Sequence, residues 1–306
     1  MPTVTLVGGS GLIGTALRSA CAERGMRVRV LDLVPPHGPL ATGEEFIRSD
    51  VREPVDPRHL EGSEAVVVLA ALLGKRCAEA PEDGWRTNVQ GTLHVLDAIR
   101  RSGASPATCF LSSASVYRRW EPKDGPIPEH APLEAGSLYA ASKLMGEQAI
   151  RAAGHAFGLR SFILRPFTAY GTGPGSAFKG HFVSTWVERA KSGRPLVVHG
   201  DGRQTVDLVH VSDLAKLVLQ ALDAGVASDR PPVFNVGCGQ ETTLLEMLDW
   251  LRAAVDGLRV EFDPTKSPPQ PRNFADIGFA RSRIGFCPKV APREGVLATL
   301  RDGTAP

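Results

Sequence analysis

Seven residues near the N-terminus, Gly8-Gly-Ser-Gly-Leu-Ile-Gly14, constrain the fold of this chain more than any other feature. They stand between an apolar run at residues 4–7, which reads as a strand, and a stretch with helical periodicity at residues 12–24. A strand that turns on glycines straight into a helix opens a βαβ unit, and the N–H groups at such a helix N-terminus attract phosphate. Gly8 is expected in the tight turn, Gly11 where a pyrophosphate comes close, and Gly14 where the helix packs down. Leu12 and Ile13 lie in the first helical turn and join these glycines as expected cofactor contacts. The spacing is G-x-x-G-x-x-G, a variant of the dinucleotide pattern. Asp32 ends the next predicted strand, residues 27–31, 18 positions after Gly14. A carboxylate at roughly that offset accepts the ribose hydroxyls of a dinucleotide and repels a 2′-phosphate, so NAD is expected rather than NADP.

The rest of the first half repeats this alternation. Short apolar runs at residues 46–48, 65–70, 108–112 and 162–165 read as strands, and residues 84–101 and 137–153 as helices with one apolar face. The fold class that follows is α/β: a Rossmann-type, doubly wound parallel sheet with a smaller α/β substrate domain at the C-terminal end. The domain boundary is placed at residue 170, giving 1–170 and 171–306, with a return to the first domain around 204–236. In the second half, strands are expected at 196–199 and 206–209 and helices at 181–191, 212–223 and 243–255.

Charge narrows the partners. Thirty-five basic and 33 acidic residues leave a net charge of +2, too little for a nucleic-acid or membrane-surface protein. The longest apolar run, from Ala65 to Leu73, is too short to span a bilayer. Five scattered cysteines without ligand spacing point to a reduced, cytoplasmic protein and to no metal site.

Tyr139 and Lys143 are spaced i, i+4 on a predicted helix and so share one face. A neighbouring cation, together with a positively charged nicotinamide, favours the ionised form of a phenol, which would make Tyr139 a general acid/base for a substrate hydroxyl. The segment Phe110-Leu-Ser-Ser-Ala-Ser-Val-Tyr117 places hydroxyl groups at the end of a predicted buried strand, where ligands meet parallel sheets.

Taken together, these residues resemble the extended short-chain dehydrogenases/reductases, in their NAD-dependent epimerase/dehydratase branch. Leu164-Arg-Pro-Phe167 with Tyr170-Gly171, Gly200-Asp-Gly-Arg-Gln-Thr205 and Phe234-Asn-Val-Gly237 carry the same resemblance, which spans nearly the whole chain. It implies that Ser113, Tyr139 and Lys143 are catalytic, with Lys143 also holding the nicotinamide ribose. It implies further cofactor contacts at Asp50 and Val51 (adenine), Leu69, Ala70, Ala71, Asn88, Tyr139 and Pro166. Substrate contacts are implied at Ser113, Thr168, His181, Arg203 and Arg272. Helices 84–101 and 137–153 would pair across a homodimer.

Two departures from the family pattern refine the expected reaction. Ala114 and Ser115 stand where dehydratases carry Asp-Glu, and Ser115 where sugar-acid decarboxylases carry Glu, so neither reaction is favoured. Val206 replaces an Arg that commonly clamps the substrate diphosphate, leaving Arg272, Arg203 or Lys179 for that role. The leading expectation is a nucleotide-sugar epimerase acting at carbon 4 through a transient 4-keto sugar, on a UDP- or dTDP-linked substrate. A nucleotide-sugar 4-ketoreductase, a small-molecule dehydrogenase resembling threonine dehydrogenases, and an inert NAD-binding protein remain as alternatives.

Overall fold

The computed structural model describes residues 2–118, 125–172, 182–265 and 272–302. Each of the six strands expected in the first half forms: β1 (Thr3–Val7), β2 (Arg27–Asp32), β3 (Glu44–Arg48), β4 (Ala65–Val68), β5 (Ala107–Leu111) and β6 (Ser161–Pro166). Shorter strands follow as β7 (Thr168–Tyr170), β8 (Leu196–His199), β9 (Thr205–Val206), β10 (Leu208–His210), β11 (Val233–Val236), β12 (Thr242–Thr243) and β13 (Val260–Asp263). A seven-stranded sheet runs in the order β11-β6-β5-β4-β1-β2-β3, with parallel pairing from β6 through to β3. The order reverses between β1 and β4, and ligands of such sheets bind beyond the strand C-termini at that reversal. β4 reads Ala-Val-Val-Val and is buried at all four positions, as a central parallel strand covered on both faces must be.

The helices are α1 (Leu12–Glu23), α2 (Gly74–Glu79), α3 (Pro81–Trp85), α4 (Gly91–Ser102), α5 (Leu138–Phe157), α6 (Phe182–Lys191), α7 (Val211–Asp223), α8 (Leu244–Arg252), α9 (Gly278–Ile284) and α10 (Pro292–Asp302). Ser137 caps α5 through the Ala140 N–H at 3.1 Å, and Gly158 ends it in the left-handed region at φ 72°. Gly146 lets α5 lie against the Phe110 ring of β5, where a Cβ would collide with the ring.

Several expected elements differ. The helix expected at 84–101 is α3, then a π-turn over Arg86–Gln90, then α4. That turn carries the buried Asn88, whose amide is bonded to Leu72 and Ser142 rather than to its own helix. The strand expected at 206–209 is broken into β9 and β10 at Asp207, whose fully buried carboxylate accepts backbone N–H groups of Cys238, Gly239 and Ala275. A side chain so engaged cannot alternate with its neighbours as a strand residue would. α2, α9, α10, β7 and β11 to β13 had no expected counterpart.

The described residues of Met1–Arg118, Pro132–Arg165 and Ala215–Phe234 form one compact unit, and those of Arg119–Ala131, Pro166–Leu214 and Asn235–Pro306 a second. The first has its core around Val66, Val68, Val95, Phe110, Ile150 and Ile163. The second has its own core, including Trp186, Val187, Val198, Leu208, Met247 and Val296. Ile127 belongs to the second because its N–H donates to Phe274 and its carbonyl accepts from Asn235. Among the described residues, no helix is long and apolar enough to cross a membrane.

Candidate active site

The glycine loop after β1 is shaped by three positions that admit no side chain, among them Gly9, whose Cβ would strike the Leu6 Cβ. Gly8 has φ +85°, and a Cβ on it would strike the backbone nitrogen of Ala70. A Cβ on Gly14 would strike the backbone of Gly9, so the close packing here is of α1 on its own loop. Gly11 is different: a Cβ there meets only the Gly8 carbonyl, at 3.8 Å. Packing does not require glycine at Gly11, which leaves open space over the N-terminus of α1. That helix has neither a side-chain cap nor an acidic residue in its first turn, so its leading N–H groups and positive dipole end face this space. Leu12 is buried beneath the turn and Ile13 half-buried.

Asp32 is oriented toward the same loop. One carboxylate oxygen accepts the Ser10 N–H at 3.0 Å and the other the Val34 N–H at 3.3 Å. A carboxylate has about four acceptor positions, so both oxygens retain capacity for ribose hydroxyls. Leu69, Ala70 and Ala71 continue from β4, with the Leu69 and Ala70 N–H groups on the Val7 carbonyl at 2.8 and 2.9 Å. Asn88 braces this segment through two hydrogen bonds to Leu72, at 2.8 and 3.0 Å, and reaches Ser142 of α5 at 2.9 Å. The Asp50 carboxylate is gripped by Arg52, Nη2 to Oδ2 at 2.7 Å, which holds its pKa below the ordinary value. Val51 is packed in the core, its carbonyl 2.8 Å from His94 Nδ1. Pro166 is buried at the end of β6.

Ser113, Tyr139 and Lys143 come together where β5 ends under α5. Ser113 caps a short 3-10 turn, Ala114–Val116, and its hydroxyl accepts the Ser115 N–H at 3.1 Å. Lys143 is 3% exposed; its Nζ donates to the Leu111 carbonyl at 2.8 Å and lies 5.9 Å from the centre of the Tyr139 ring. Burial lowers the Lys143 pKa to about 8, with the Glu147 carboxylate opposing the fall. The expected depression of the Tyr139 pKa is not found in the chain alone. Tyr139 keeps some accessible surface, but protein atoms crowd its hydroxyl and this desolvation raises its pKa to about 12; a hydrogen bond with Ser113 offsets only part of the rise. Lys143, with its Nζ on the Leu111 carbonyl and 5.9 Å from the ring centre, does not reverse the rise.

In the second unit, Thr168 donates its N–H to the Asp207 carbonyl at 2.9 Å. Arg203 is exposed beside Asp201. Arg272 pairs with Glu241, Nε to Oε1 at 2.7 Å, and lies over the Phe274 ring. Glu241 Oε1 also accepts the Thr205 hydroxyl at 2.8 Å. His181 and Lys179 lie outside the described residues.

A model of the NAD-dependent epimerase/dehydratase family matches residues 4–237. The chain belongs to that family. It is accordingly an enzyme, and its cofactor is NAD. Among relatives of this family member, a UDP-glucose 4-epimerase from Azospirillum brasilense is 30% identical, over 97% of this chain and 90% of the relative. A putative UDP-glucose 4-epimerase from Methanocaldococcus jannaschii is 28% identical, over 96% and 95%. Among solved structures, MoeE5 in complex with UDP-glucose and NAD superposes with a TM-score of 0.87 at 27% identity, covering 98% of this chain and 97% of that one.

The residues of this epimerase/dehydratase chain fit the family's cofactor. The space over Gly11, the uncapped N-terminus of α1 and the backbone-oriented Asp32 carboxylate together suit a pyrophosphate and an adjacent ribose. Sequence reasoning missed the residues behind the site. Glu147 and Arg165 form a buried ion pair against β5, and Ser112 is bonded to it. Glu147 continues the spacing of Tyr139 and Lys143 at i+8, the one signal that could have found it.

Proposed function

We propose that this chain is a nucleotide-sugar 4-epimerase in which Ser113, Tyr139 and Lys143 perform the proton chemistry at the sugar 4-hydroxyl. The observation that supports this most is their convergence at the end of β5, on the same C-terminal edge of the parallel sheet as the glycine loop and Asp32. NAD, when bound, supplies a reversible redox partner for the sugar carbon. Tyr139 takes the 4-hydroxyl proton as the 4-keto sugar forms and returns it to the same oxygen after the sugar has turned over. Ser113 donates to that oxygen and fixes its distance from the phenol. Lys143 places positive charge under the Tyr139 ring and steadies the phenolate. Because Tyr139 is a phenol in the chain alone, this reading requires its pKa to fall when positive charge is added beside it. Positioning and proton transfer carry most of the rate enhancement.

The cofactor contacts proposed are Gly8, Gly11, Leu12, Ile13, Gly14, Asp32, Asp50, Val51, Leu69, Ala70, Ala71, Asn88, Lys143 and Pro166. Thr168, Arg203 and Arg272 are proposed for the substrate, a UDP- or dTDP-linked sugar. The deciding experiment denatures the purified protein and identifies the released nucleotides by mass spectrometry, alongside an NMR assay converting UDP-glucose to UDP-galactose. Stoichiometric NAD with conversion supports the epimerase. An empty protein that exchanges NADH and reduces a keto sugar supports the ketoreductase instead.

A second reading has its own support. Val206 contributes no charge where the diphosphate clamp is expected, and Arg272 is already paired with Glu241. Both favour a small-molecule dehydrogenase, and failure of UDP to bind at millimolar concentration selects it. For assembly, a homodimer through α4 and α5 is proposed, supported by Leu93 and Met145, which are 49% and 43% exposed on those helices. Sedimentation velocity should give a dimer for the natural chain and a monomer for Leu93→Glu/Met145→Glu. A dimer in both discards this face.

A further inference from the structure

The buried ion pair between Glu147 and Arg165 has no part in the proton transfer proposed above, yet it is bonded to the segment that carries Ser113. Glu147 is 1% exposed and Arg165 2%. The guanidinium forks onto the carboxylate, Nε to Oε1 at 2.8 Å and Nη2 to Oε2 at 2.7 Å. Burying two charges gives up their hydration, and an apolar pair of similar volume commonly serves stability as well or better. Stability alone therefore does not account for this pair. Its hydrogen bonds to other groups say what else it does.

Ser112 donates its hydroxyl to Glu147 Oε1 at 2.6 Å. On the far side of the pair, Arg165 Nη1 donates to the Tyr117 hydroxyl at 3.0 Å, and the guanidinium lies 4.9 Å from the centre of that ring. Ser112 immediately precedes Ser113, and Tyr117 closes the 3-10 turn that Ser113 caps. The ion pair thus grips the Ser113 segment at both flanks. Glu147 also lies one helical turn from Lys143 and two from Tyr139, so α5 meets the end of β5 at two matched points. Leu111 accepts from Lys143 and Ser112 donates to Glu147, while the Ser113 hydroxyl is near enough to Tyr139 to oppose the rise in its pKa.

We propose that Glu147 and Arg165 are positioning residues that hold the Ser113 hydroxyl in register with the Tyr139 phenol. The inference rests on the roles proposed for Ser113 and Tyr139 above. A half-occupied grip would let residues 112–117 shift along α5, separating the hydroxyl from the phenol while leaving substrate and cofactor contacts elsewhere intact. The defect is then expected in turnover and not in binding.

The test uses the full chain and the near-isosteric substitution Glu147→Gln, read in two ways. By hydrogen–deuterium exchange, the N–H groups of residues 112–117 should exchange at least tenfold faster, with β1 and β4 unchanged. With UDP-glucose as substrate, kcat should fall at least tenfold while KM stays within threefold. Placed in a Ser113→Ala background, Glu147→Gln should add less than a twofold further loss, because residues acting through one another are not additive. If Glu147→Gln does not fold, Glu147→Leu/Arg165→Leu removes both charges together and carries the same expectations. Unchanged exchange at residues 112–117 in the folded variant overturns the proposal, whatever the activity. A fully multiplicative loss with Ser113→Ala overturns it as well. Should Tyr139→Phe retain turnover, the proposed function fails by itself, and the exchange result still decides whether the pair holds Ser113.

Discussion

Tyr139 and Lys143 are titratable groups that burial pushes in opposite directions, and each makes a separable prediction. Removing the phenol oxygen in Tyr139→Phe should lower kcat by about 10²–10⁴-fold, the usual worth of a positioned general acid/base, without releasing NAD. Turnover near normal, measured with the bound cofactor quantified in the same sample, would exclude the assigned role. Lys143 bears on stability. Its pKa of about 8 in the folded chain lies below the ordinary 10.5, so the unfolded chain binds the proton more tightly. Stability contributed at this site therefore rises with pH between those two values, and the cost of burying the charge is fully present below about pH 8. Lys143→Met should be inactive yet more resistant to urea at pH 7, by roughly 1–3 kcal/mol. That advantage should shrink as the pH is raised toward 10. An advantage independent of pH would mean that the ammonium is not the source.

At the scale of elements, legibility followed the type of contact. β1 and β2 were readable because glycine and Asp32 mark their ends, and β4 because an unbroken run of valines fits a doubly covered strand. β9 and β10 were not, since the break at Asp207 depends on N–H groups of residues 238, 239 and 275, far along the chain. The π-turn at Asn88 was hidden for the same reason, its amide being drawn to Leu72 and Ser142. Of the candidate site, Ser113, Tyr139 and Lys143 carried local signals. The Glu147–Arg165 pair did not, because Arg165 lies on a different strand and nothing near it in sequence marks its partner. Asp207 offers a direct check on such long-range bonds. Asp207→Ala leaves three N–H groups without their acceptor and should cost about 3 kcal/mol in urea unfolding, whereas Asp207→Asn, which keeps one acceptor oxygen, should cost less. Equal losses would show that cavity and not hydrogen bonding decides.

For the whole molecule, the seven-stranded sheet is not completed by the first half of the chain. β11, next to β6, is drawn from residues beyond 230, and residues 215–223 of α7 belong to the same unit. A chain ending at residue 170 should therefore lack a cooperative urea transition, while the full chain has one. A cooperative transition in the shorter chain would make β11 dispensable.

The place of β11 also orders events during synthesis. When β6 leaves the ribosome its outer edge has no neighbour, and more than sixty further residues must be translated before β11 can dock there. At about 5–20 residues per second, that edge stands open for several seconds in every nascent chain. Unpaired strand edges recruit other strands, so this interval is when the newborn enzyme most needs a chaperone, and slow codons between β6 and β11 would lengthen it.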